Sequence, residues 1–257
     1  MVKLNVKDLM SFAVACSVRG RILLVAGMLV IGLAAVSFRA VPDAENVSGA
    51  WQLSNGGVNE RLVFEDGYCA HTVFNQAGKQ FRYTRGGTTQ FGNDSLHITL
   101  EFHSDNKAAV GKKVSTYLKA NKNVLVTRFN GKEQRWSKID KGTTPLRGYW
   151  RINGRKEGES MNEIPLRPRK TIKLLSGSTF QWAAINIETG EFFGTGGGEY
   201  TFKDGKYTEH IQFFSRDNSR VGASLTFDGK VENGVWHHSG LSSKGDPIAE
   251  TWIKMER

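Results

Sequence analysis

The chain says nearly the same thing twice. Residues 101–111 read EFHSDNKAAVG and residues 212–222 read QFFSRDNSRVG, a shift of 111 positions. Other landmarks recur in the same order. GAW at Gly49–Trp51 returns as GYW at Gly148–Trp150, RGG at Arg85–Gly87 as GGG at Gly196–Gly198, and QRWSKID at Gln134–Asp140 as ETWIKME at Glu250–Glu256. The shift is 99 at the front and 116 at the back, so insertions lie between matched blocks of one duplicated unit. Such a unit has the usual size of a domain. The expected layout is a first domain over 48–140, a linker over 141–147, and a second domain over 148–257. The linker is short, so the two domains are expected to touch.

Residues 1–40 are a different kind of sequence. Lys3, Lys7, Arg19 and Arg21 precede an unbroken apolar run from Ile22 to Val36, followed by Ser37. A basic front, an apolar centre and small residues behind it read as an export signal, with Ala35-Val36-Ser37 as an acceptable cleavage site. The competing reading is an uncleaved membrane anchor over residues 22–38, about the shortest apolar helix that spans a bilayer. Either way the basic flank leaves the repeats outside the cytoplasm, periplasmic or secreted or tethered to the membrane. Cys16 and Cys69 are the two cysteines, and removal of the export segment leaves Cys69 alone. Stability must then come from packing. The net charge is +10, of which residues 1–40 supply +4, leaving a mildly basic remainder of +6 with both signs interspersed. That balance suits an anionic ligand, an acidic glycan or anionic headgroups. No nucleic-acid-binding motif is present, so nucleic acid is not an expected partner.

After Val41 the apolar pattern has period two. Phe180, Trp182 and Ala184 alternate with polar or small residues, as do Val221, Ala223, Leu225 and Phe227. Half-buried strands produce this alternation. Turn signals punctuate it: Asp66-Gly67, Ala77-Gly78, Asn130-Gly131, Thr189-Gly190, Asp204-Gly205, Asp228-Gly229 and Asn233-Gly234. About eight strands per repeat are expected. In the second they fall near 148–153, 171–176, 179–187, 190–202, 206–215, 221–228, 230–238 and 248–255. Eight meandering strands close most economically into a barrel, which abolishes sheet edges; a flattened sandwich is the alternative. The predicted fold class is all-β, two tandem eight-stranded antiparallel barrels behind an apolar export or anchor helix. The glycines of Arg85–Gly87 and Gly194–Gly198 sit inside strand pattern, where glycine marks a bend or a close backbone approach rather than a phosphate loop.

Each unit opens with Gly-x-Trp and closes with a strand carrying a basic residue, Arg135 or Lys138 beside Trp136 and Lys254 beside Trp252. This pattern resembles the lipocalin and calycin barrels. The resemblance implies that the first-strand Trp plugs the closed end and that the basic residue packs across it. The stretches Arg167–Thr171, Phe180–Trp182, Glu188–Tyr200 and Phe213–Gly222 are similar to exported lipocalin-like domains of Bacteroidota-type bacteria. That likeness implies a barrel and export, and it implies no reaction.

Residues for a ligand site follow from strand parity and from the long first connection of the second repeat. Trp182, Tyr200, His210 and Phe214 are expected inside the second barrel, with Arg167 and Arg169 at its mouth. The connection from Asn153 to Lys170 carries Arg155, Lys156, Arg167, Arg169 and Lys170, and the resemblance to lipocalin-like barrels implies that it arches over the mouth as a lid. His210 is placed inside because it shares parity with Gln212 and Phe214. Phe180, Trp182, Ala184 and Asn186 are matched with Tyr68, Ala70, Thr72 and Phe74 of the first repeat, so the two interiors are expected to differ. His237 and His238 are adjacent and face opposite ways. No spacing among the six histidines and Cys69 suggests a metal site, and no cofactor is expected. Ser239–Ser243 after His238 lacks a nucleophile elbow, and Glu199 and Glu209 lie on neighbouring strands. The leading expectation is an exported, non-catalytic protein holding a small hydrophobic or amphipathic ligand in the second barrel. The alternatives are an envelope interaction protein with solid barrels, and a barrel-type isomerase or hydrolase.

Overall fold

The computed structural model describes residues 44–129 and 131–255. The export or anchor segment expected over residues 1–40 lies outside the described residues, and no described helix is long and apolar enough to cross a membrane. A one-turn helix α1 (Ala44–Val47) leads into barrel one: β1 (Gly49–Asn55), β2 (Val58–Glu65), β3 (Tyr68–Asn75), β4 (Gln80–Gly92), β5 (Ser95–His103), β6 (Lys113–Ala120), β7 (Val124–Phe129) and β8 (Lys132–Lys138). Each strand pairs antiparallel with the next, and β1 closes on β8 through Trp51 with Lys138 and Gln52 with Ser137. Barrel two comprises β9 (Gly148–Glu157), β10 (Ser160–Glu163), β11 (Arg169–Leu175), β12 (Thr179–Asn186), β13 (Phe192–Lys203), β14 (Lys206–Phe214), β15 (Ser224–Glu232), β16 (Val235–Leu241) and β17 (Pro247–Lys254). It closes where β17 pairs with β9. The chain is therefore all-β, with two closed eight-stranded antiparallel barrels; β10 is an extra strand laid on the far half of β9.

The hairpins that hold this meander are set by local chemistry. Asp66-Gly67, Asp204-Gly205 and Asn233-Gly234 all have positive φ at both residues, which suits the right-handed twist of the flanking strands. The expected turn at Asp228-Gly229 is not one: both residues lie within β15, and the chain reverses five residues later at Asn233-Gly234. Gly229 serves close approach instead, because a Cβ there would stand 3.0 Å from the Phe202 ring.

The closed ends repeat one device. The indole Nε1 of Trp51 donates to the Val47 carbonyl and that of Trp150 to the Leu146 carbonyl, each at 2.7 Å. The next strand residue back is capped from elsewhere: the Ala50 amide donates to Asp140 and the Tyr149 amide to Asp66, both at 2.9 Å. In barrel one Lys138 packs across Trp51, with Nζ 5.2 Å from the ring centre. Its counterpart Lys254 instead reaches Asp66 of barrel one, at 3.5 Å.

The barrels share a buried seam. Along β11, Ile172 and Leu174 face barrel one while Lys173 and Leu175 face into barrel two, as period two dictates. Val63, Tyr68, Ala70 and Phe102 meet Tyr149, Ile172, Leu174, Ala183 and Ile185 in one apolar cluster, and the Tyr68 and Tyr149 rings stack at 4.2 Å. Polar side chains bond across the seam, although the buried Nε of Arg61 has no partner among the described residues. Gln181 accepts from Thr72 Oγ1 at 2.8 Å and donates to Thr84 Oγ1 at 3.0 Å. A bulge recurs on the fifth strand of each barrel, leaving Glu101 and Gln212 without a cross-strand partner on β4 and β13. Both bulged side chains bond across the seam, Glu101 to Lys170 at 2.7 Å and Gln212 to Arg61 at 2.6 Å.

Pairing corrects the match between the repeats. Leu62 lies opposite Trp51 and His71, and Lys173 lies opposite Trp150 and Trp182. The counterpart of Trp182 is therefore His71, not Ala70, and that of Phe180 is Cys69. The expected match was one residue out, which in a strand exchanges inside for outside.

Candidate functional site

The two interiors differ more than their strands do. Barrel one is filled: the free space lined by Leu62, His71, Arg85, Leu96 and Phe129 is about 10 Å³, at most room for one water. Barrel two contains a cavity of about 460 Å³, within the range of small-ligand sites. The cause is legible in the register. In barrel one the Phe129 ring stacks on His71, with centroids 6.4 Å apart, and the Arg85 guanidinium lies 5.2 Å from the same ring. The corresponding positions in barrel two are Gly240, Trp182 and Gly196. Phe129 and Arg85 thus have only glycines as counterparts, while Trp182, Phe227 and His238 are bulkier than the His71, Thr116 and Thr127 they match. Gly196 also brings the wall inward, because a Cβ there would stand 2.7 Å from Trp182 Nε1 and 2.8 Å from Phe214.

The cavity is layered. Its base rests on an aromatic plug built from Trp150, Phe180, Tyr200, Tyr207 and Trp236, all buried. On this plug sits Lys173, with Nζ 5.0 Å from the Tyr207 and Trp236 ring centres and 5.2 Å from that of Trp252. Lys173 donates to Glu209 Oε1 at 2.9 Å, and the Tyr207 hydroxyl donates to the same oxygen at 3.0 Å. Beside it, Glu250 accepts from Arg155 at 2.7 Å and from Trp252 Nε1 at 3.2 Å. Burial pushes the Glu250 carboxyl up, but His238, Lys173 and Arg155 outweigh it and hold it at about 2. His238 stands 3.6 Å from Glu250, walled in by Tyr207, Phe227 and Trp236, and neither ring nitrogen has a hydrogen-bond partner. Burial, then the nearby Lys173 charge, depress its basicity. Towards the open end the lining turns apolar: Trp182, Ala184, Phe214, Leu225 and Ile248, with Ser242, Ser243 and Asp246 of the β16–β17 loop at the rim.

Of the residues expected from sequence, Trp182 and Phe214 line this cavity and meet edge to face at 5.5 Å. Tyr200 is buried in the plug, where its hydroxyl bonds the Ser176 carbonyl at 2.7 Å and Thr144 at 2.6 Å. His210 is exposed and bonds Ser224 Oγ at 2.9 Å on the outer face. The bulge at Gln212 breaks the parity on which its inward placement rested: Ile211 and Phe214 point in, His210 and Phe213 out. Arg167 and Arg169 are exposed and are not among the lining residues; Arg169 lies over the Phe193 ring at 4.7 Å. The connection expected to be a lid instead extends the wall, because β10 folds back along β9 and the Ile164 amide bonds the Asn153 carbonyl at 2.8 Å. From its basic cluster only Arg155 reaches the cavity, while Lys170 is spent on Glu101 across the seam.

Lys173 and Glu250 were missed, and Glu209 was noticed only beside Glu199. Glu199 faces outward, 3.7 Å from Lys141. One signal would have found the cavity pair. Lys173 stands between Ile172 and Leu174 in an otherwise buried strand, where the first repeat has Leu62; Glu209 stands where it has Ile98. Among the described residues no group of histidine, cysteine and carboxylate side chains is arranged to hold a metal. Neither protein-family models nor curated proteins give a match to this chain.

Proposed function

We propose that the protein is an exported lipocalin-like binding protein whose second barrel holds one small, partly apolar ligand, with the first barrel as its solid support. The observation that carries this reading is the contrast between an open-mouthed cavity of about 460 Å³ leading into barrel two and about 10 Å³ of enclosed space in barrel one, two barrels of one design. A barrel that served only as a spacer has a filled solution available, and the first repeat uses it. The charged pair supports the same reading. Lys173 and Glu209 replace Leu62 and Ile98, and a buried ion pair adds little stability over well-packed apolar residues, so a role other than folding accounts for it. The basic front and apolar run of residues 1–38 support export.

The test is titration with N-phenyl-1-naphthylamine, a neutral apolar dye that brightens on leaving water. One site per chain is expected. Ala184→Phe, which fills the cavity from its wall, should abolish binding, and Trp182→Ala should weaken it by about tenfold. Saturable binding that neither substitution changes would place the dye elsewhere and sink the reading.

A further inference from the structure

We infer that the ligand enters barrel two with an uncharged, hydrogen-bonding end first, its apolar part lying against the aromatic rim. This rests on the binding role proposed above and adds the chemistry of the buried end. The inference comes from the order of the layers and from their charge balance. A site for a buried carboxylate or phosphate presents a cation whose charge is not already spent. Both cations lining this cavity are spent: Lys173 on Glu209 at 2.9 Å and Arg155 on Glu250 at 2.7 Å. The Lys173–Glu209 pair is buried on both sides, with side chains 6 % exposed, so solvent does not screen it. An anionic head placed beside Lys173 would meet the Glu209 carboxylate as a like charge, and a cationic head beside Glu209 would meet Lys173. In a weakly screened site either juxtaposition is costly. A hydroxyl or amide avoids both penalties: its oxygen accepts from the ammonium and its hydrogen is donated to the carboxylate. The apolar remainder then matches the outer wall of Trp182, Phe214, Leu225 and Ile248, and among the described residues the only charged group lining the rim beyond it is the Asp246 carboxylate, which would repel an anionic head there as well.

The experiment is displacement of N-phenyl-1-naphthylamine from the full chain at pH 7.5 by 1-octanol, octanoate and octylammonium, which share one tail and differ in the charge of the head. Octanol is expected to displace the dye about tenfold more strongly than either ion. Glu209→Gln leaves the Lys173 charge unspent and should turn the preference to octanoate; Lys173→Met leaves the carboxylate and should turn it to octylammonium. Either variant suffices if the other fails to fold. Octanoate or octylammonium matching octanol in the native chain would overturn the inference. So would a preference that neither variant moves, because the head would then lie away from the pair. Absence of any dye site would instead remove the binding role beneath it, so the two failures are distinct.

Discussion

Lys173 and Glu209 form their ion pair at the two positions where barrel one places Leu62 and Ile98. The duplicated fold thus contains its own control for what a buried charge pair contributes. Breaking the pair by Lys173→Leu leaves a buried carboxylate with only the Tyr207 hydroxyl as a donor and should cost about 3–5 kcal/mol. The double change Lys173→Leu with Glu209→Ile should recover that loss, or exceed it, while removing the preference for an uncharged head. Urea unfolding of the native chain, both single variants and the double variant measures the cycle. A double variant no more stable than the singles would show that the pair is a folding requirement.

Glu250 should make stability depend on acid. Its folded value of about 2 lies below the ordinary 4.5, so its contribution is present above pH 4.5 and is lost as pH falls towards 2. The difference corresponds to about 3 kcal/mol. His238, whose folded basicity is also depressed, acts with the same sign, removing stability as pH falls below 6.5. The difference between native and Glu250→Gln unfolding free energies, followed from pH 6 to pH 3, isolates the first effect. It should shrink as the pH falls.

The two barrels should unfold together. Separating them would expose Ile172, Leu174, Ala183 and Ile185 of barrel two and take Thr72 and Thr84 from Gln181, leaving it only Thr195 at 3.2 Å. Full burial of one large aliphatic side chain is worth roughly 1.5–3 kcal/mol, so the seam is a large share of a domain's net stability. Calorimetry should find one transition in the native chain, and residues 141–257 made alone should melt at least 10 °C lower, on the order expected for a loss of a few kcal/mol.

Cys69 should be chemically silent in the folded protein. It is buried in barrel one, and burial pushes its thiol up to about 12. With Cys16 changed to Ser, Ellman's reagent should react at the rate at which barrel one opens and no faster. Rapid reaction in native buffer would mean that this interior is not solid.

The barrels were legible in the sequence because period two, aspartate-glycine and asparagine-glycine turns and the repeat all pointed the same way. What stayed hidden depended on single-residue register. Asp228-Gly229 looks as much like a turn as Asn233-Gly234, yet it lies within β15 with Gly229 close against the Phe202 ring, a contact between strands that the local sequence does not announce. His210 was placed inside by counting in twos, and one bulge reversed every residue beyond it. The basic cluster of 155–170 was visible, but which of its members meets the cavity depends on β10 turning back along β9. Trp182 and Phe214 were found because they are large apolar residues on an inward face. Lys173 was overlooked because a charge in a strand reads as an outward face until the strand is known to be buried on both sides, and Glu250 because it shares with Trp252 the one buried face of β17.

Just beyond the bulge on β14, the alternation of the strand places Phe213 and Phe214, neighbours in the chain, on opposite sides of one wall. Phe213 packs against Phe74 and Phe81 of barrel one, and Phe214 forms part of the cavity's rim. The support and the entrance therefore hang on a single peptide unit. A substitution at Phe213 would be felt twice, once in the packing against barrel one and once, through the shared backbone, at the rim of the cavity.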